Sequence, residues 1–371
     1  MTIAGSLLIS GSLLAQLAPP PAQKKVQIAI LFDTSNSMDG LIDQAKSRIW
    51  NIVNEVSTLR YEGQVPTFEI ALYEYGNDGL KKNDDYIRQV LGFTSDLDDV
   101  SQKLFSLTTN GGSEYCGSVI KQSVAELTWS ENETDLKMIY IAGNEGFDQG
   151  SVDYKDACID ANKKNVYINT IFCGGYDEGV HLHWMDGANC SQGDYFNIDS
   201  DKAIEYIESP YDSIIGIYND SLNTTYYGYG SNGRLKKEMQ MSEDMNAVNM
   251  AASVSTERTI VKAKKASYNN ASWDLLDAVD EGRSVDDFDE KELPEEFQNK
   301  STQEKEALLE QNREDRDRYQ KKIAEFAVER EKYVEEERKR RAEKNPEEDD
   351  FGTSVNKAIL EKATQNGFNQ E

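Results

Sequence analysis

Cysteine, histidine and positive charge are all scarce in this chain. Four cysteines, Cys116, Cys158, Cys173 and Cys190, contain no C-x-x-C pair, which argues against a zinc ribbon or a thioredoxin-type site. The two histidines, His181 and His183, fall in one HLHW run with no third ligand evident, so local packing is the expected role. Lys and Arg number 40 against 67 Asp and Glu, a net charge of −27 in 371 residues. Nucleic acid and anionic membrane surfaces are poor partners for such a chain, because both need clustered basic side chains. No P-loop, G-x-G-x-x-G run or Ser/His/Asp order occurs. The apolar stretch at residues 1–18 is too short for a transmembrane helix, so no membrane span is expected.

What the chain does contain is organised around residues 26–38, VQIAILFDTSNSM. The apolar run Val26, Ile28, Ala29, Ile30, Leu31 and Phe32 suits a strand buried on both faces. It breaks into Asp33, Ser35 and Ser37 just before a helical pattern over residues 41–59. A carboxylate and two hydroxyls at a strand-to-helix handover form an oxygen set that suits a hard divalent cation, while the bland alternative is a cap cluster without metal. Further strands are expected at 67–75, 86–93 (an edge), 137–142, 166–172 and 195–198. Helices are expected at 96–105, 115–129, 153–163, 184–188 and 203–222. This alternation implies an α/β, doubly wound, mainly parallel sheet with helices on both faces. Loops starting at Asp33, Thr108 and Gly143 then share the rim at the strands' C-terminal ends, where such sheets bind ligands.

The D-x-S-x-S run at Asp33, Ser35 and Ser37 resembles the metal-ion-dependent adhesion site of von Willebrand factor A domains, and the resemblance extends over residues 26–222. It implies a Rossmann-like sheet with Mg2+ or Mn2+ at the rim. The second loop carries Ser113 after Gly111-Gly112 where the family usually has Thr. The third reads Gly143-Asn144-Glu145 where the family usually has Thr-Asp-Gly, so Asn144 offers a neutral oxygen and Glu145 a charge beside it. The implied ligand set is therefore Asp33, Ser35, Ser37, Ser113, Asn144 and Glu145. The resemblance implies a non-enzymatic protein-binding module whose metal takes an acidic side chain from a protein partner. Glu114, next to Ser113, is positioned to close the site from within instead.

Residues 1–24 read as a signal-like segment and Pro linker, with cleavage near Ala15 or Ala18, which implies export to a periplasmic or extracellular location. The segment lacks a positively charged start, and a cytoplasmic chain is the alternative. If disulfides form, Cys173–Cys190 is the expected pair; four free thiols are the alternative. Residues 25–225 form the A-type domain, 226–300 a helical region with an acidic linker at 280–296, and 301–371 a long charged helix and a short terminal helix. Met241, Met245, Val248 and Ala252 share helical spacing and are expected to pack inward. The linker is expected to be solvated. On the long helix, Asn312, Arg316 and Arg330 interrupt an apolar seam of Leu309, Tyr319, Ile323, Phe326 and Tyr333. That leaves a single helix, a hairpin with residues 235–267 or a weak coiled-coil oligomer. The competing function is a structural or assembly protein that acts through this helical half.

Overall fold

Every residue of β1 (Lys25–Asp33) from Val26 onward is buried, because the strand lies in the middle of a sheet covered on both sides. The computed structural model describes residues 24–39, 52, 53, 55–198, 207–342 and 351–370. β2 (Thr67–Tyr75) and β4 (Leu136–Gly143) flank β1 in parallel, with Ile28 opposite Ile70 on one side and Met138 on the other. Numbering the sheet in chain order, β3 (Ile87–Thr94) runs antiparallel at one edge, and β5 (Tyr167–Cys173) and β6 (Tyr195–Ile198) continue in parallel to the other. The strand order is β3-β2-β1-β4-β5-β6. The order reverses at β1, so the crevice above its C-terminal end is where a ligand is received.

Alternate residues of β1 feed two cores. Ala29 and Leu31 meet Val119, Ile120 and Val124 of α2 (Cys116–Glu126), Ala157 and Ala161 of α3 (Tyr154–Lys163), and Trp184, which opens α5 (Trp184–Asn189). Val26, Ile28, Ile30 and Phe32 face Leu97, Val100 and Leu104 of α1 (Leu97–Phe105) and Ile215 and Leu222 of α6 (Asp212–Asn223). Asp96 caps α1 by accepting from the Asp98 and Asp99 amides, as its position before the apolar pattern predicts. A short helix, α4 (Tyr176–His181), occupies what reads in sequence as a loop. The N-terminal segment and Pro run, residues 40–51 of the first expected helix, residues 199–206 and the Pro346 helix stop lie outside the described residues.

The helical half shares the second of these cores. Val254 and Val261 of α8 (Ala252–Lys262), Tyr268, Trp273 and Ile323 of α10 (Thr302–Ala342), and Val355 and Ile359 of α11 (Phe351–Gln365) all join it. Asn369–Gln370 pair antiparallel with Leu59–Arg60, and Phe368 packs edge-on against Tyr61. Buried cations fasten the halves together. Arg258 donates to Asp98 of α1 at 2.6 Å and to Asp244 of α7 (Gly230–Met250) at 2.9 Å. Lys262 reaches Asp244 at 2.6 Å and the Asn219 and Asn223 side chains of α6. Burial alone pushes the Asp244 carboxyl up, but the charges of Lys262 and Arg258 outweigh it and hold it well below the usual range.

Several expectations are corrected here. The disulfide is Cys158–Cys190, while Cys173 is a buried free thiol. The reason is the face of the sheet: Cys173 joins the α6-side core, whereas Cys158 and Cys190 pack on the α2–α3 side. The Met241, Met245 and Val248 stripe is 54–60% exposed, because α7 turns Gln240, Glu243 and Ala247 inward toward the Arg258 network. Within the acidic linker, Val285, Phe288 and Leu293 are buried beside Leu275 and Leu276 of α9 (Leu275–Asp280) and Leu309 of α10, so the segment is packed rather than simply solvated.

The long helix lies against α6 rather than beside residues 235–267 as a hairpin, with Ile323 and Phe326 seated toward Tyr218 and Tyr211. Its polar seam residues are docking points. Arg316 donates to Asp274 and Asp277 at 2.8 Å each and to Thr225, and its guanidinium lies 4.2 Å from the Tyr226 ring centre. Arg330 donates to Asp212 at 2.8 Å, and Asn312 to the Thr225 carbonyl at 2.7 Å. Arg316→Met strands the buried Asp274 and Asp277 carboxylates and is expected to cost about 3–5 kcal/mol in urea unfolding. Arg313→Ala, which breaks partly exposed pairs with Asp280 and Glu310, is expected to cost under about 1 kcal/mol.

Candidate functional site

The rim above β1 is assembled from the backbone first. The Thr34 amide donates to the Tyr75 carbonyl at the end of β2, which turns the chain sharply after Asp33. The Asn36 amide donates to Gly111 O at 2.7 Å, and the Asn110 amide donates to Thr34 O at 3.0 Å, so the second loop is stitched onto the first. The third loop is joined by side chains. Ser37 Oγ donates to Asn144 Oδ1 at 2.8 Å, and Asn144 Nδ2 returns a bond to the Ser37 carbonyl at 2.9 Å. The Ser35 and Ser37 hydroxyls lie 2.8 Å apart. The rim loops that carry Asp33, Ser113 and Asn144 therefore meet at one end of the sheet. This doubly wound, mainly parallel sheet with three loops gathered at one rim is the arrangement that the resemblance to von Willebrand factor A domains implies.

Asp33 sits at the floor of this rim and is 0% exposed. Its Oδ1 accepts from the Ser35 amide at 2.8 Å, while Oδ2 is buried with no hydrogen-bond partner. Burial pushes its pKa up to about 7 against the bonds from Ser35, and the charges of Glu114 and Glu145 push the same way. A buried carboxylate oxygen without a donor is costly unless a proton or a cation meets it.

The surrounding glycines keep that floor open. A Cβ on Gly143 would lie 3.1 Å from Asp33 Oδ2 and 2.6 Å from the Tyr75 hydroxyl, which itself donates to Ala142 O at 3.0 Å. A Cβ on Gly76 would lie 2.7 Å from Asp33 Oδ1. Sequence reasoning missed Gly76 and Tyr75, and their signal was only their place at the end of the second strand.

Of the expected ligands, Asp33, Ser35, Ser37 and Asn144 form one connected group. Glu145 faces the same region electrostatically, and its carbonyl accepts from the Trp184 indole at 2.7 Å, which fixes the third loop. Ser113 is half-buried in the second loop, and its neighbour Glu114, only 8% exposed, lies against Ser35. The donor set for a hard divalent ion is one carboxylate, hydroxyls and an amide oxygen. Among the described residues, no group of three or more His, Cys, Asp or Glu side chains is arranged to hold a metal, and most of the side-chain oxygens gathered here are hydroxyl and amide. His181 and His183 serve local contacts: His181 Nδ1 bonds the Asp177 carbonyl, and His183 stacks near Tyr154.

No protein-family model matches the sequence, and no curated protein matches it. Among solved structures, the chain is similar to the conserved hypothetical protein BatB from Bacteroides thetaiotaomicron, at 16% identity and a TM-score of 0.37, over 47% of this chain and 90% of that one. It is similar at 17% identity to the SpRpn10 VWA domain, with a TM-score of 0.35, over 47% of this chain and 88% of that one. It is also similar at 16% identity to proximal thread matrix protein 1 from the mussel byssus, described with a zinc-occupied MIDAS motif, with a TM-score of 0.37, over 48% of this chain. In that case it spans 43% of the matrix protein's length.

The Asp33 carboxyl has a pH signature with a definite sign. Between about 4 and about 7 the unfolded chain gives up this proton while the folded chain keeps it, so stability falls as pH rises through that window. Holding the carboxyl near 7 rather than 3.8 corresponds to about 4 kcal/mol once it is ionised. Thermal unfolding in EDTA is expected to show this loss between about pH 4 and pH 7, and Asp33→Asn is expected to flatten it. An unchanged profile in Asp33→Asn would contradict the assignment.

Proposed function

We propose that this chain is a non-enzymatic, divalent-metal-dependent protein-binding module. The observation that carries the reading is the buried, unpartnered Asp33 Oδ2 at the floor of a rim whose Ser35, Ser37 and Asn144 side chains are linked to one another. These residues, with Ser113 and Glu145 from the adjoining loops, would hold Mg2+ or Mn2+. Such an ion supplies a Lewis-acidic position that accepts a carboxylate from outside. The partner class is a protein that presents an Asp or Glu side chain. The Ser35 and Ser37 hydroxyls bond each other and Asn144, with no imidazole among these partners, which supports binding over hydroxyl-nucleophile chemistry.

Export is supported by the Cys158–Cys190 bridge, since disulfides persist mainly in oxidising compartments. No described helix is long and apolar enough to cross a membrane. The role of the long helix is to brace the A-type unit through Arg316 and Arg330, which favours the rim over a free coiled-coil seam as the functional surface. Calorimetric titration with Mg2+ and Mn2+ tests the reading. Wild type is expected to bind one ion, Asp33→Ala to lose binding, and Ser35→Ala to weaken it about tenfold or more. Equal binding by wild type and Asp33→Ala would overturn it.

A further inference from the structure

The side chain of Glu114 does not point away from the rim. The Cβ that Gly76 lacks would lie 2.7 Å from Asp33 Oδ1 and 3.0 Å from Glu114 Cγ, so both acidic side chains border one point. On the other side, a Cβ on Gly112 would overlap Glu114 Oε1 and lie 2.7 Å from Ser35 Cβ. The carboxylate of Glu114 is thus laid along Ser35 and over the Asp33 floor, and the residue is 8% exposed. Gly76 and Gly112 make room for it, and Gly111, just before Gly112, takes the left-handed conformation, with φ of +56°.

Two carboxylates buried side by side repel, and among the described residues no cationic side chain is a leading influence on either. The groups bearing on Glu114 are Ser35, its own amide, Glu145 and Asp78, and those bearing on Asp33 are Ser35, Glu114 and Glu145. A surface glutamate free to swing into water would relieve that repulsion. Glu114 instead stays in the crevice against Ser35 and on the Oδ1 side of Asp33, whose Oδ2 is buried without a partner, and two carboxylates so placed are the arrangement expected where a cation is shared.

We propose that Glu114 is an internal carboxylate ligand that caps the rim ion, so that a partner's acidic side chain must displace it. The inference rests on the metal-dependent reading above. It makes the module self-restrained: an internal ligand tethered by a short loop competes at a high effective concentration, and a weak or single acidic group does not dislodge it. Partners presenting several carboxylates close together are selected over isolated ones.

The test uses Mn2+ as the metal and acetate as the carboxylate probe on the full chain. Water-proton relaxation counts the exchangeable waters on bound Mn2+, and acetate titration of the Mn2+-loaded protein measures access to the open position. Glu114→Ala is expected to add one coordinated water and to raise acetate affinity roughly tenfold or more. Glu114→Gln, which keeps the size and hydrogen bonding of the side chain, is expected to move both readouts in the same direction if Glu114→Ala fails to fold. Mn2+ bound by wild type and by both variants with the same hydration and the same acetate affinity would overturn the capping role while leaving the rim reading intact. Loss of the metal reading itself has a different signature: wild type that binds no Mn2+, or binds it no better than Asp33→Ala, overturns both.

Discussion

A single carboxylate oxygen, Asp33 Oδ2, buried at the end of the central strand without a donor, is the constraint to which the rest of the rim answers. Strand β1 delivers it there because its neighbours on both sides are parallel and its whole length is apolar. Gly76 and Gly143 leave it room, Ser35 bonds its other oxygen, and Glu114 and Glu145 add negative charge nearby. Burial and the two glutamates make the ionised site more costly in isolation and more attractive to a cation, while the Ser35 bonds offset part of that cost. The overall charge of −27 adds a long-range field of the same sign.

The helical half braces one face of the sheet that carries the rim. Buried Arg258, Lys262 and Arg316 each satisfy carboxylates on other segments, and their apolar neighbours share the core beneath the sheet. Buried ion pairs contribute little net stability compared with apolar packing, but breaking one leaves a stranded charge, so they fix which surfaces meet. Here Arg316 ties α10 to Asp274 and Asp277, Arg330 ties it to Asp212 of α6, and Arg258 ties α8 to α1. The C-terminal helix α11 closes the same core beside β6. Movement of the helical half away from the sheet would expose these charges together, which disfavours its separation from the sheet.

The elements that were legible in the sequence share one property: their signal was local. A strand buried on both faces writes a continuous apolar run, and the D-x-S-x-S run marks where it stops. Asp96 before α1 and the apolar stripe of α11 are equally local. What the sequence hid depended on which way a side chain faces after folding. Cys173 was paired with Cys190 by proximity along the chain, but the pleat turns it to the opposite face from Cys190. Met241, Met245 and Val248 have the spacing of a buried stripe, yet a polar stripe on the same helix is the one that meets buried partners. Arg316 and Arg330 read as interruptions of a seam because their acceptors, Asp274, Asp277 and Asp212, lie far off in sequence. At the rim, the loops could be placed on one side by topology, but the approach of Glu114 to Ser35 required the Gly76 and Gly112 contacts.

Anomalous diffraction from crystals grown or soaked with Mn2+ tests the central claim most directly. The account predicts one strong peak at the rim, bounded by Asp33, the Ser35 and Ser37 hydroxyls and the third loop, with oxygen ligands at about 2.0–2.3 Å. Saturating Mn2+ with no peak at Asp33, or with the ion held elsewhere on the acidic surface, would contradict it.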